Sequence, residues 1–471
     1  MAPPNRLHAV QQAFFLLLAG VLALGLGWAV PETPEVLAWF LAALVIGASL
    51  LLLGSWQTTL AATVLTLIFA LTPNPAPYFS RFVLLGLLLA VIVLTHPPQL
   101  PASRQQWIFS VGLVVFVAFS ALSLTWTDHR ALVARQVLAA AALLAALIIA
   151  GLGRWREPKL LRRDVILLYA VVAGFSVASI VAGTLEDPTV RLSGYYRNPN
   201  ALGMMSALAF GLGLGVRRLA GRWRWCVTAT QVAIVVGVVL TGSRTSTVAV
   251  LAALLYPLRD RGVRARVRDL LPWIMSGLAG AALIGLALPE RFRNYLLATW
   301  DALVTPDARF DSGRDRLWER ALEAWMEHPV GGHGFRSGSD AFTTVHSGFY
   351  QLLGESGVVG FTIVTVVVLA VVVPRGPTDP TLRAVWLAGT GAVVAGVMVQ
   401  FGESALFGLG QPFPLVFWAA ASMAVATKAV PPTSSGSQPL QGEEPTAAGT
   451  SQRPVPRVTT GGNAPRANRR S

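Results

Sequence analysis

Cysteine is almost absent from this chain, which has one, Cys226, among 471 residues. A single cysteine excludes an intramolecular disulfide and any metal site built from several cysteines. Cys226 stands at the head of an apolar run, and a small side chain there is predicted to be buried. Asp-x-Asp pairs are also absent from the loops that are predicted below to face outward. A Mg²⁺ site built on such a pair is therefore not favoured.

Charge is scarce as well. Only 13% of the residues are charged and 54% are hydrophobic, whereas ordinary soluble domains carry about 25% charged residues. Apolar runs such as 14–30, 36–53 and 165–182 are long enough to cross a bilayer, so the composition indicates a membrane protein. The formal net charge of +14 lies mostly in short loops and the tail, where it sets orientation against anionic lipids. No zinc-finger spacing or recognition-helix pattern supports binding to nucleic acid.

The chain is predicted to be an all-α polytopic membrane protein with about fourteen (12–14) transmembrane helices in residues 1–428. Arginine and lysine crowd the loops 154–163, 217–224 and 259–268, which all face the cytoplasm if the N-terminus does. The loop 289–346 is then extracytoplasmic. The tail 429–471, rich in Pro, Ser, Gly and Thr, is predicted to be disordered and cytoplasmic. The predicted spans centre near Leu22, Val45, Leu65, Leu88, Val115, Leu143, Val172, Leu208, Val235, Val250, Gly280, Val366, Ala392 and Phe417.

The large outer loop contains a predicted amphipathic helix over 312–327. Apolar side chains such as Leu317, Trp318 and Trp325 share one helical face, and charged side chains take the other. Ser312 is predicted to start the helix, and His328-Pro329 with the glycines that follow is predicted to stop it. Such a helix lies on the outer membrane face, packs on the span bundle, or does both.

Cationic motifs and a histidine are predicted where helices re-enter the membrane from the outer side. Helix N-termini and arginines both favour bound anions, and arginine binds phosphate oxygens in a bidentate manner. Their clustering opposite the arginine-rich loops predicts a site for a phosphate-bearing substrate. Taken singly, each residue has another explanation: contact with headgroups, an exposed helix charge or a structural histidine. The set is Arg191, Arg197, Asn198 and Asn200 before the eighth span, Ser243 and Arg244 at the tenth, Arg314 in the outer loop, and His346 at the twelfth.

The same motifs carry a family resemblance. From about Arg191 to Gly360, their order and spacing resemble the motif series of the O-antigen ligase/polymerase superfamily. The chain departs from that series at Ser347, where asparagine often follows the histidine, and His333 is an additional histidine without an assigned role. The motifs are Arg191-Leu-Ser-Gly194-Tyr-Tyr-Arg197-Asn198-Pro199-Asn200, Ser243-Arg244-Thr245, Gly313-Arg314-Asp-Arg-Leu-Trp318, Pro329-Val-Gly-Gly-His-Gly334 and His346-Ser-Gly-Phe-Tyr350-Gln-Leu-Leu-Gly-Glu355-Ser-Gly357.

The resemblance implies an inverting glycosyltransferase of the cytoplasmic (inner) membrane that uses neither a metal nor another cofactor. It implies transfer of a glycan from a polyprenyl-diphosphate donor to a glycan, lipid or protein acceptor at the outer membrane face. Arg191, Arg244 and Arg314 are then expected to hold the diphosphate, and His346 to accept the proton of the attacking hydroxyl. Supporting roles are expected for Arg197, Asn198, Asn200, Ser243, Tyr350 and Glu355.

Two other classes of function remain open from the residues. A flippase for lipid-linked glycans would form no bond, but its usual duplicated halves and paired broken helices are not evident. A membrane scaffold that recruits partners through the tail leaves the outer arginines unexplained. Within the enzyme class, polymerase, ligase and protein O-glycosyltransferase share a donor and differ in acceptor, so the sequence does not separate them.

Overall fold

The computed structural model describes residues 98–184, 191–196, 198–259, 314–337, 345–407 and 412–429, and a few isolated residues between 60 and 96 and between 286 and 293. Within these ranges the regular structure is entirely helical. The α-helices are α1 Arg104–Leu122, α2 Arg130–Leu152, α3 Pro158–Gly183, α4 Pro199–Leu219, α5 Arg224–Leu240, α6 Arg244–Leu255, α7 Arg314–Glu327, α8 Gly348–Val372, α9 Pro380–Val399 and α10 Pro412–Ala426.

Seven of the described helices, α1–α5, α8 and α9, are long and apolar enough to cross a membrane. The chain is therefore a multi-pass membrane protein, as its composition predicts, and its described part is all-helical. The helices α6 and α10, which correspond to the spans predicted near Val250 and Phe417, are shorter apolar helices. The predicted spans near Leu22, Val45, Leu65 and Gly280, the helix start at Ser312 and the tail 430–471 lie outside the described residues. The total of about fourteen spans stays a prediction.

The centre of the described bundle is the pair α4 and α9. Residues 202–216 of α4 and 384–393 of α9 are all buried. Their backbones approach closely because glycines face each other: a Cβ on Gly211 would lie 2.5 Å from backbone atoms of Gly391 and Ala392. Small residues allow this approach of the two backbones. Because the surrounding lipid is as apolar as the side chains, close backbone packing is what holds the two helices together.

Gly211→Ala is expected to lower the thermal midpoint, because its methyl group would force α4 and α9 apart at a cost of about 1–3 kcal/mol. Gly174→Ala is the matched control, since a Cβ there meets nothing within 4 Å of it and α3 gains a better helix former. Thermal unfolding of both purified variants in detergent measures the difference. Equal midpoints for the two variants would show that the α4–α9 contact tolerates added bulk.

From α3 to α5, successive helices alternate in direction, which places their connections at two ends of the bundle. Leu192, which follows α3, donates to the carbonyl of Leu240 at the end of α5 (3.4 Å), whereas Arg162 near the start of α3 donates to Leu219 at the end of α4 (3.0 Å). The end where α3 begins and α4 ends is called the arginine end. It also holds Arg259, which donates to the carbonyls of Val372, the last residue of α8, and of Pro374 just after it. The described residues of the arginine-rich loops 154–163, 217–224 and 259–268 all lie at this end.

Arg154, one of the arginines predicted in the loop 154–163, also forms a buried ion pair. Its guanidinium donates to both carboxylate oxygens of Asp164, at 2.6 and 3.0 Å, and the indole of Trp155 donates to the same carboxylate at 2.9 Å. These donors satisfy both oxygens of the buried carboxylate. Arg154 therefore fixes the α2–α3 connection rather than facing solvent.

Cys226 is exposed, and the prediction that it is buried is wrong. It lies in the first turn of α5, where residues 221–226 are all exposed. The side chains of α5 that are buried begin at Val227 and recur with helical spacing through Gln231 and Ile234. An apolar run in a membrane protein marks the bilayer rather than the interior, and that is why the burial of Cys226 was misjudged.

Candidate active site

Three helices begin near one another at the end opposite the arginine end. The start of α4 is capped as predicted: Asn198 Oδ1 accepts from the backbone N–H of Asn200 (2.8 Å) and of Ala201 (3.3 Å), and Pro199 takes the first helical position. Ser243 occupies the N-cap of α6, but its hydroxyl contacts Ser246 Oγ at 2.8 Å instead of the helix backbone. Ser347 precedes α8 and donates to the carbonyl of Gln400 (3.3 Å).

The carboxylate of Glu403, in the connection between α9 and α10, joins these elements. Its Oε1 accepts from Asn200 Nδ2 at 2.6 Å and lies 3.4 Å from Arg314 Nη2. Its Oε2 lies 3.6 Å from His346 Nδ1. The backbone carbonyl of Glu403 also accepts from the N–H of Gly348, the first residue of α8, at 3.0 Å. One buried carboxylate therefore ties together the starts of α4, α7 and α8.

Arg191 is linked to the same carboxylate through Asn200. Its Nη2 donates to Asn200 Oδ1 at 2.8 Å, and its Nε donates to the carbonyl of Thr241 at 2.7 Å, next to the start of α6. Burial lowers the pKa of Arg191; the negative charge of Glu403 opposes this, and the positive charges of Arg314 and Arg244 add to it. The three arginines predicted to bind one ligand thus lie within electrostatic reach of one another. Arg244, the first residue of α6, is exposed.

Arg314 opens α7, the predicted amphipathic helix, which ends at Glu327 as the His-Pro stop predicts. Its Nη1 donates to the carbonyl of Gly402 at 2.8 Å. The helix is packed on the bundle: Trp318 Nε1 donates to the carbonyl of Val345 (3.0 Å), and its indole stacks on Tyr350 with ring centroids 5.5 Å apart. Tyr350 therefore supports the position of α7 from α8, one turn from His346.

His346 combines an open side chain with an unusual backbone. Its side chain is 52% exposed, and its φ of 48° lies in the left-handed region that few non-glycine residues adopt. Residues on either side fix this conformation, because Val345 is fully buried and Ser347 and Gly348 bond to the α9–α10 connection. Strained backbone held by its surroundings is a feature of functional sites. One ring nitrogen, Nδ1, faces Glu403, which leaves Nε2 for another partner.

Glu355 lies in a different environment from the arginines. It is buried in α8, where its carboxylate accepts from Gln351 Nε2 (2.7 Å) and from the backbone N–H of Arg336 (3.1 Å). Arg336 is the cationic side chain with which it interacts. The contacts that the structure gives Glu355 therefore assign it to the packing of the segment 329–337, not to the Glu403 cluster.

That segment docks into a break in α8. Gly357 has φ 61° and ψ −171°, so the helix ladder is interrupted there. The turn after α7 supplies replacement bonds: Val358 N–H donates to Pro329 O (2.9 Å), and the N–H of Gly334 donates to Glu355 O (3.0 Å). Gly332, with φ 67°, allows the approach, since a Cβ would lie 2.5 Å from the backbone of Glu355. Broken helices are tolerated in membranes where such bonds restore the backbone.

The structure thus brings Arg191, Asn200, Arg314 and His346 to Glu403, with Arg244 nearby, and it places Glu355 elsewhere. Asn198 and Ser243 act on their helix starts, and Arg197 lies outside the described residues. Sequence reasoning missed Glu403. One signal could have found it, because Glu403 is the sole acidic residue between Asp379 and Glu443 and stands between two apolar segments. Among the described side chains, no group of three acidic, histidine or cysteine residues is arranged to hold a metal ion.

Comparison with known proteins gives one family. Residues 229–365 match the family model described as O-antigen ligase, and this confirms the resemblance that the motifs predict. The matched region is under a third of the chain and includes Arg244, Arg314 and His346. Arg191, Asn200 and Glu403 lie outside it. No curated protein matches the chain.

Proposed function

We propose that this protein is an inverting, metal-independent glycosyltransferase that moves a glycan from a polyprenyl-diphosphate donor to an acceptor hydroxyl. The reaction takes place at the outer face of the cytoplasmic membrane, and the acceptor is a glycan, a lipid or a protein. The observation that carries the proposal is the cluster of Arg191, Arg314 and His346 around Glu403, with Arg244 within electrostatic reach. The match of residues 229–365 to O-antigen ligases supports the same class of reaction.

The arginines suit the diphosphate of the donor. When the bond between the sugar and the diphosphate breaks, the leaving group gains a negative charge on its terminal oxygen. Guanidinium groups that are already in place stabilise that charge without reorganising, and this is the usual source of the largest rate effects in such reactions. Arg191 and Arg314 are held by carbonyl and side-chain acceptors, so both are positioned before a ligand arrives. Arg244 contributes its charge from the start of α6.

His346 suits the role of general base. The acceptor oxygen attacks the anomeric carbon from the face opposite the diphosphate and forms the new glycosidic bond as the old carbon–oxygen bond breaks. The hydroxyl proton passes to Nε2 of His346, and the polyprenyl diphosphate leaves with the bonding electrons. Attack from the opposite face inverts the anomeric configuration. Half-exposure of the imidazole leaves room for an acceptor.

We propose an orientation from the distribution of arginine between the two ends of the bundle. Arginines in short loops collect on the cytoplasmic side of membrane proteins. The cluster lies at the end opposite the arginine end, so it is assigned to the outer face, and the N- and C-termini are assigned to the cytoplasm. Lipid-linked donors that reach the outer leaflet would then have direct lateral access to it.

The test is a transfer assay with the purified protein in detergent. A labelled polyprenyl-diphosphate glycan and an acceptor are supplied without nucleotide, and chelator is added to a parallel reaction. The expected result is a new glycosidic bond of inverted configuration, with release of polyprenyl diphosphate and no loss of rate with chelator. If no bond forms and the labelled donor moves across the membrane of reconstituted vesicles, the protein is a transporter and not a transferase.

A further inference from the structure

Glu403 poses a problem for a site that binds a diphosphate. A carboxylate repels the ligand, yet this one is only 9% exposed and occupies the centre of the arginines. If the cluster only bound an anion, it would bind that anion more tightly without the carboxylate of Glu403. A buried carboxylate that is kept in such a position has a second task, and its contacts indicate which one.

The contacts of Glu403 divide between its two oxygens. Oε1 is engaged by Asn200 and Arg314, whereas Oε2 faces Nδ1 of His346. A carboxylate beside one ring nitrogen favours the tautomer with its proton on that nitrogen, which leaves the other nitrogen with a free lone pair. It also stabilises the imidazolium that forms when the ring accepts a proton, as in other pairs of carboxylate and histidine.

We propose that Glu403 is the positioning residue for His346, because it fixes the tautomer that presents Nε2 as the base. This inference rests on the proposed function and deepens it. Glu403 touches neither the acceptor nor the reacting carbon, so it acts through His346. The geometry gives it access to both halves of the reaction, since the same carboxylate contacts a guanidinium of the donor site and the imidazole of the acceptor site.

Glu403→Gln is the main test. The amide keeps the shape of the side chain and removes the negative charge. We expect kcat to fall by about 10²- to 10³-fold, while KM for the donor stays the same or falls, because the repulsive charge is gone. A structural role that only separates the arginines would instead raise donor KM and leave kcat close to the native value. That second pattern would overturn the proposal.

The pH dependence gives an independent readout. Burial raises the pKa of Glu403, and Arg314 and His346 oppose the rise. Because the ionised carboxylate is needed, activity falls as the pH drops through this raised pKa. Arg191 and Arg244 are further charged groups near this pair. In Glu403→Gln the acid limb is expected to move to lower pH, since the carboxylate whose protonation sets that limb is gone. An unmoved acid limb would contradict the proposal.

A double variant separates this inference from the proposed function. If Glu403 acts through His346, His346→Ala combined with Glu403→Gln is no slower than His346→Ala alone. If the rate loss in the double variant equals the product of the losses in the two single variants, Glu403 has a role independent of His346. Activity retained in His346→Ala itself would instead overturn the proposed function.

Controls cover a failure to fold. Glu403→Asp keeps the charge at shorter reach and is expected to recover part of kcat; no recovery in a folded Asp variant would count against a role of the charge. Ser404→Ala changes the next residue, whose hydroxyl makes no hydrogen bond within the described part of the chain, and should match the native enzyme in kcat and acid limb. If the Gln variant does not fold, the acid limb of the Asp variant decides the question. A shifted acid limb supports the proposal, and an acid limb at the native pH overturns it.

Discussion

Arg314→Ala is expected to lower the rate of glycan transfer by about 10²- to 10³-fold, the effect of removing one preorganised donor from a developing anion. Both the rate at saturating donor and kcat/KM should fall, because the guanidinium is needed most when the diphosphate gains its charge. Transfer assays with the purified variant measure both quantities.

Arg316→Ala is the matched control for that variant. Arg316 lies two residues further along α7 and is exposed. Its removal takes away the same charge from the same helix without touching Glu403 or Gly402, so its rate should stay near that of the native protein. Similar losses in both variants would show that the charge of α7 acts at long range, and Arg314 would lose its assignment.

His346→Ala is expected to lower the rate by about 10²- to 10⁴-fold, the range for loss of a general base. The reason is chemical rather than structural, since half of the side chain faces solvent and its loss removes little packing. Donor binding should change much less than the rate, because the imidazole meets the acceptor. Single-turnover transfer, together with donor binding measured separately, distinguishes the two steps.

His129→Ala provides the histidine control. His129 is exposed in the α1–α2 connection, at the same end of the bundle as His346. We expect its removal to leave transfer unchanged. A near-native rate in His346→Ala would show that another group or water takes the proton, and the mechanism would have to be assigned to a different residue.

Short sequence patterns predicted where several of the helices around this site begin and end. The cap at Asn198, the proline that follows it and the His-Pro stop after Glu327 are short-range patterns, and each appears in the structure where the sequence places it. Their reliability has a physical basis, because capping and helix termination depend on residues within one turn.

Long-range pairings escaped prediction. Glu403 meets Asn200 across 203 positions of chain, and nothing in either local sequence indicates the partner. The break at Gly357 likewise depends on a turn that starts at Pro329, because the bonds that restore the backbone come from there. The ion pair of Arg154 was missed for the same reason, because Asp164 comes within reach only when the α2–α3 connection folds.

The left-handed backbone at residue 346 has a consequence for capturing this protein with its substrate. Glycine adopts a φ of 48° without the clash that a Cβ suffers, at a saving of about 1 kcal/mol per residue. His346→Gly should therefore melt above His346→Ala although both lack the imidazole, and differential scanning calorimetry would show the gap. An inactive variant with higher thermal stability is expected to keep the intact donor bound long enough for cryo-microscopy. Substitution of the strained residue, His346, is therefore a direct way to trap the complex with the donor before turnover.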